Sequence, residues 1–112
     1  MTIAQLGLDI DGEAVDDYSG QSVSLSADGS IVAIGANGND GNDSSSGHVR
    51  LYEWNSGTSS WNQLGLDIDG EAEYDYSGYS VSLSADGSIV AIGATENDGN
   101  GNGAGQVRLY QW

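Results

Sequence analysis

Residues Gln5 to Trp54 return, without a gap, as Gln63 to Trp112: the offset is 58 residues, and only 11 of the 50 aligned positions differ. Whatever unit one half folds into, the other half folds into again, so the architecture must accept two like units in tandem. The differences fall at 15, 16, 21, 37, 38, 43, 44, 45, 46, 48 and 53 in first-copy numbers. Recent duplication and deliberate symmetrisation would both leave such a pair.

Each copy reads as short strands. Leu64, Leu66 and Ile68 alternate with Gly65, Asp67 and Asp69, the period of two of a strand with one apolar side. Val81 and Leu83 alternate with Ser80, Ser82 and Ser84 in the same way, and Ala85-Asp86-Gly87-Ser88 then supplies an Asp-Gly hairpin signal. The apolar run Ile89 to Ile92 suits a central strand covered on both faces, and an Asn/Gly-rich loop leads on to Gln106-Val107-Arg108-Leu109-Tyr110. No window carries a helical period. The fold class is all-β.

Four antiparallel strands in a repeat of this length is the arithmetic of a β-propeller blade. The small residues of Ser22-Val23-Ser24-Leu25-Ser26 suit the crowded innermost strand. Tyr52, Trp54, Tyr110 and Trp112 suit the wedge where blades diverge. The string SGxSVSLSADGSIVAIGA, then NDG, then GxVRLYxW, present in both copies, resembles the FG-GAP or integrin-like propeller repeat of large surface and secreted proteins. The resemblance implies an extracellular or cell-surface setting, although no signal peptide follows Met1. It also implies a ring of about seven blades, where this chain carries two.

Two blades expose two flat flanks and unpaired strand edges, so something is expected to complete them. With the strands of a blade lettered a to d from the axis outwards, the chain reads d-abcd-abc. Residues 1–17 form an outer strand and loop, 18–69 a first complete blade, and 70–112 a second blade lacking its outer strand. Donation of the leading strand to the last sheet of another copy repairs both defects. The expectation is a homotrimer of six blades or a homotetramer of eight, joined through Leu6, Leu8, Ile10, Val107, Leu109 and Trp112. A fragment of a longer propeller is the alternative.

Composition narrows the partners. Two arginines face 17 carboxylates, for a net charge of −15. Nucleic acid and anionic membrane are excluded, because no cationic patch exists to displace phosphate counterions. The absence of Cys removes disulfides and thiolate chemistry. Catalysis is not expected: the single histidine, His48, becomes Gln106 in the second copy, no nucleophile elbow precedes a helix, and lysine is absent. No cofactor is required.

Hairpin parity puts the loops entering the inner strands (Asp11 to Ser19, Asp69 to Ser77) and the Asn/Gly-rich loops (Asn37 to Gly47, Thr95 to Gly105) on one acidic, variable face. Asp11, Glu13, Asp17, Asp40, Asp69, Glu71, Asp75 and Asp98 are the candidate ligands there for Ca²⁺. A solvent-facing strand side and ordinary turn chemistry give the same spacing. The family's calcium loop, of the form DxDxDGxxD, lies between strands a and b; here that connection is only Ala-Asp-Gly-Ser, so those sites do not carry over. A glycan or protein ligand is the other candidate for this face, with Tyr18, Tyr76 and Tyr79 as stacking groups. Arg50 and Arg108 are expected to pair with nearby carboxylates between blades.

Overall fold

A computed structural model describes residues 1–112. The chain is all-β, built from antiparallel sheets without a helix, as β-propeller blades are. β1 (Ser19–Leu25), β2 (Ile31–Ala36) and β3 (His48–Asn55) form the first sheet in that order. β4 (Ser60–Gln63) and β5 (Ile68–Asp69) both pair with β3 along its outer edge. β6 (Ser77–Leu83), β7 (Ile89–Ala94) and β8 (Gln106–Gln111) form the second sheet, whose outer edge stays unpaired within the chain.

The two sheets repeat the same registers. Val23 faces Ile34 as Val81 faces Ile92, and Leu51 faces Ala33 as Leu109 faces Ala91. Each Asp-Gly turn is closed by its own side chains. Asp28 Oδ1 accepts hydrogen bonds from the Ser30 amide at 2.9 Å, the Ser30 hydroxyl at 2.7 Å and the Ser26 hydroxyl at 3.0 Å, and Gly29 takes a φ of 75°. Asp86 repeats this with Ser88 and Ser84.

These bonds hold both carboxyls below the usual carboxylate range, with Ser30 the leading cause at Asp28 and Ser88 at Asp86. A depressed folded-state pKa means that the contribution is complete above about pH 4 and is lost as pH falls through the folded value. Replacing both by Asn should flatten the acid limb of stability, read as the urea midpoint from about pH 5 to about pH 2. An unchanged limb would exclude these turns as its source.

The outer strand differs from its expected form. Instead of one strand over Leu64 to Ile68, the ladder runs through Ser60–Gln63, breaks, and resumes at Ile68–Asp69. Gly65 is the reason, since its φ of 76° turns the chain out of the extended region. Between β3 and β4 the chain makes a hairpin turn whose Gly57 and Thr58 amides are held by Asn55 Oδ1.

Trp112 stands with Tyr110 beside Leu51, Leu64 and Ile68 where the two sheets meet, as expected of a wedge, whereas its equivalent Trp54 has no second sheet across from it within the chain. Trp54 lies opposite Trp61 across the β3–β4 ladder, ring centroids 5.2 Å apart and planes at 60°. Half-buried there, Trp54→Ala should cost less than the about 3–5 kcal/mol of a fully buried tryptophan. A double-mutant cycle with Trp61→Ala, followed by chemical unfolding, should return a coupling of about 0.5–1.5 kcal/mol.

The leading segment, residues 1–18, forms no strand in the single chain. It lies against its own first sheet, where Trp61 Nε1 donates to the Leu6 carbonyl at 3.0 Å. The edge it would need within its own blade, that of β3, is already taken by β4 and β5.

The core sits between the sheets. Ile31, Ala33, Val49 and Leu51 of the first sheet meet Val90 and Ile92 of the second, with Leu64, Ile68, Val81, Leu83 and Tyr110 packed around them. Toward the inner strands the contact becomes polar and close: Ser22 Oγ donates to the Gly78 carbonyl at 2.8 Å, and the Leu83 amide donates to Ser24 Oγ at 3.0 Å. Small serines are needed because backbone meets backbone here. A Cβ on Gly35 would collide with the Gly78 carbonyl.

Candidate functional site

The two ends of the molecule carry the halves of the contact that its middle completes. Val49 and Leu51 are 0% and 2% exposed, whereas their repeat equivalents Val107 and Leu109 are 65% and 67% exposed. At the other end Val23 and Leu25 are 63% and 60% exposed, whereas Val81 and Leu83 are half-buried against the core. Identical side chains in identical registers thus differ only in whether a neighbouring sheet covers them. Leaving four such aliphatics in water forfeits about 1.5–3 kcal/mol for each one that could be fully buried.

The flanks are complementary in polar detail as well. Between the sheets, the Gly70 amide donates to the Gly47 carbonyl at 2.8 Å, and the Ser77 amide to the Ser46 carbonyl at 2.9 Å. On the open flanks the equivalents of Ser77 and Gly78, Ser19 and Gly20, are exposed. Leu6 and Leu8 are exposed as well, Ile10 is half-buried, and Trp112 is about half exposed beside the bare edge of β8.

The loop face has a repeated lock. Asn39, buried, donates from Nδ2 to Asp17 Oδ2 at 2.8 Å and Glu13 Oε1 at 3.0 Å. Asn97 does the same with Asp75 at 2.8 Å and Glu71 at 3.2 Å. Each loop entering an inner strand is thereby pinned beneath the Asn/Gly-rich loop of its own sheet, and the two loop sets share one face as hairpin parity requires. Asp40 accepts from the Ser45 amide and Asp98 from the Gly103 amide, both at 2.7 Å. Asp69 stands beside Gly41, and Asp11 lines a small recess with Glu13 and His48. Of the eight candidate carboxylates, the structure therefore brings together Glu13 with Asp17 and Glu71 with Asp75, each pair around an asparagine amide.

Arg50 is the charged hub of the first sheet. Its Nε donates to Asp67 Oδ1 at 2.8 Å and its Nη2 to Asp67 Oδ2 at 3.2 Å, and Nη2 also reaches Glu13 Oε2. This fork holds the Asp67 carboxyl below its usual range and raises the guanidinium further above its own. Arg108 lacks the corresponding carboxylate. It donates to the Asp69 carbonyl at 2.9 Å and lies 5.5 Å from the centre of the Tyr110 ring. The residue at its missing position is Asp9, which accepts only from Gln5.

His48, the single histidine, from which the sequence gives no reason to expect a site, is buried beside Glu13 and Asp67. Its sequence neighbour Arg50, two residues along the same strand face, was the available signal; that Glu13 folds back to both is a tertiary fact. Tyr76 and Tyr79 line an open recess with Asn37, Thr95 and Glu96.

A family model described as the FG-GAP repeat matches residues 8–52 and again 67–110. Among curated proteins none matches this sequence. FG-GAP repeats build propeller modules, generally non-enzymatic and typical of extracellular and surface proteins. With both of its units matched over most of their length and both folded into the antiparallel sheets such blades require, the chain belongs to the FG-GAP repeat family.

Proposed function

We propose that the chain is a self-assembling propeller module, in which the flank bearing Val107 and Leu109 receives the flank bearing Val23 and Leu25 of a second copy. The single observation that carries this reading is the internal junction: the same residues, in the same registers, already make that contact once between the two halves of the chain. The contact is head-to-tail, so repeated use closes a ring when the rotation divides the circle. Three copies give six blades and four give eight, both within the range over which propellers close.

The leading segment completes the sheet edge. Ile68 pairs with Val49 and Asp69 with His48. Carried across the repeat, Ile10 pairs with Val107 and Asp11 with Gln106 of the neighbouring copy, and Asp9 meets Arg108 as Asp67 meets Arg50. Sedimentation equilibrium should return a species of about 34.5 or about 46 kDa from the 11.5 kDa chain. A single 11.5 kDa species overturns the proposal and leaves further blades of a longer chain as the cover for these flanks. Asp9→Arg and Arg108→Asp should each weaken assembly, and the double exchange should restore it with a coupling of about 0.5–3 kcal/mol.

A second reading is supported by the recess at Tyr76 and Tyr79, where two aromatic rings stand beside Asn37, Thr95 and Glu96 as a glycan subsite would require. Binding on a glycan array that Tyr79→Ala abolishes would favour it; an empty array would remove it.

A further inference from the structure

We propose that Glu13, His48 and Asp67 form a binding site for a divalent transition-metal ion of the Zn²⁺ class. His48 is 3% exposed, and its Nδ1 is buried without a hydrogen-bond partner. That nitrogen faces Glu13 Oε1 at 3.7 Å and Asp67 Oδ2 at 3.9 Å, and the three ligand atoms lie within 4.8 Å of one another. Tetrahedral bonds of about 2.0–2.2 Å set ligand atoms about 3.4 Å apart, so the carboxylates must draw in on the imidazole to close on an ion. The two carboxylates sit on the leading loop and on the turn between β4 and β5, outside the rigid core, where they can close on an ion.

Arg50 does not block the site. It grips Glu13 by Oε2 and Asp67 through both oxygens, and the two oxygens nearest the imidazole each already accept one hydrogen bond, Asp67 Oδ2 from Arg50 Nη2 at 3.2 Å and Glu13 Oε1 from Asn39 Nδ2 at 3.0 Å, which leaves each a further lone pair for an ion. Arg50 is thus a positioning residue for both carboxylates, as outer partners of metal ligands commonly are. A cavity of about 10 Å³, lined by Ile10, Asp11, Glu13, His48, Arg50 and Tyr52, adjoins the cluster. That is about the room one water needs, enough for a fourth ligand.

The donor set selects the metal. One imidazole nitrogen and two carboxylates suit Zn²⁺, Co²⁺ or Ni²⁺, whereas Ca²⁺ takes six to eight oxygens. Burial, and secondarily the Arg50 guanidinium, hold the imidazole pKa below its ordinary value, which favours the neutral form that ligates. All three ligands come from one chain, so the site is complete without a second copy. The second half of the chain has no counterpart, because Gln106 stands where His48 does.

The test is calorimetric titration of the intact chain with Zn²⁺, alongside the visible spectrum of the Co²⁺-loaded protein. One ion per chain is expected, with the intense absorption of four-coordinate Co²⁺. His48→Gln, which makes the first copy match the second, should weaken Zn²⁺ binding by more than the 10–100-fold that loss of an outer partner costs. Glu13→Gln, on an exposed loop, should weaken it comparably and keeps the test decisive should His48→Gln perturb the fold. No heat with Zn²⁺, or unchanged affinity in either variant, overturns the site and assigns any binding to dispersed surface carboxylates.

Discussion

Leu109→Ala is expected to destabilise the assembled protein by about as much as Leu51→Ala, about 2–5 kcal/mol, although Leu109 is 67% exposed within one chain. The two leucines occupy the same position of the repeat and the same register, opposite Ala91 and Ala33. Leu51 is sealed by the second sheet, and truncating it leaves a cavity among Val49, Val90 and Ile92. Leu109 has no such cover within the chain. In a monomer its truncation should stay within about 0.5 kcal/mol, as exposed substitutions do. Urea unfolding at several protein concentrations separates the outcomes, because stability drawn from association rises with concentration. Equal costs place a second molecule over the flank; a near-silent Leu109→Ala leaves it open.

The second large effect is steric. Gly35→Ala should cost about 3 kcal/mol or more, because the added methyl would enter the space of the Gly78 carbonyl and push the two sheets apart. The backbone at Gly35 is ordinary strand, so the requirement for glycine is one of space rather than of φ. Its equivalent, Gly93, meets only the Ser80 side chain and its own strand partner's backbone within the chain. In the proposed assembly the carbonyl of Gly20 from the neighbour would take the place of Gly78. Gly93→Ala should then leave the monomer folded and dissociate the assembly, seen as a fall in sedimenting mass with an unchanged far-ultraviolet spectrum. Retention of the full mass would show that the flanks do not meet as the internal sheets do.

Much of this architecture is legible one segment at a time. The alternation in Ser80 to Ser84, the Ala-Asp-Gly-Ser turn and the apolar run Ile89 to Ile92 each announce their local structure, and the hairpin arrangement of three strands follows from them. The outer strand was less legible. Leu64, Leu66 and Ile68 keep the right period, but Gly65 turns left-handed and splits the ladder, a choice that the period of the neighbouring leucines does not disclose. For the repeated tryptophan the sequence announces burial but not the partner: within the chain Trp54 meets Trp61 across a hairpin, whereas Trp112 reaches the other sheet. The carboxylates of the loop face were visible as a group, while their division between Asn39 and Asn97 depended on how two loops stack.

The sequence by itself determined that there are two like units, that each is a run of antiparallel strands, and where each tight turn lies. Those features rest on side-chain period and on hydrogen bonds between residues a few positions apart. Only the tertiary structure decided which of two identical residues is covered, Val49 or Val107, Leu51 or Leu109. It alone carried Glu13 and Asp67 to His48. Burial is a property of what lies across the gap, and identical segments acquire different neighbours as soon as one is in the middle of the stack and the other at its end.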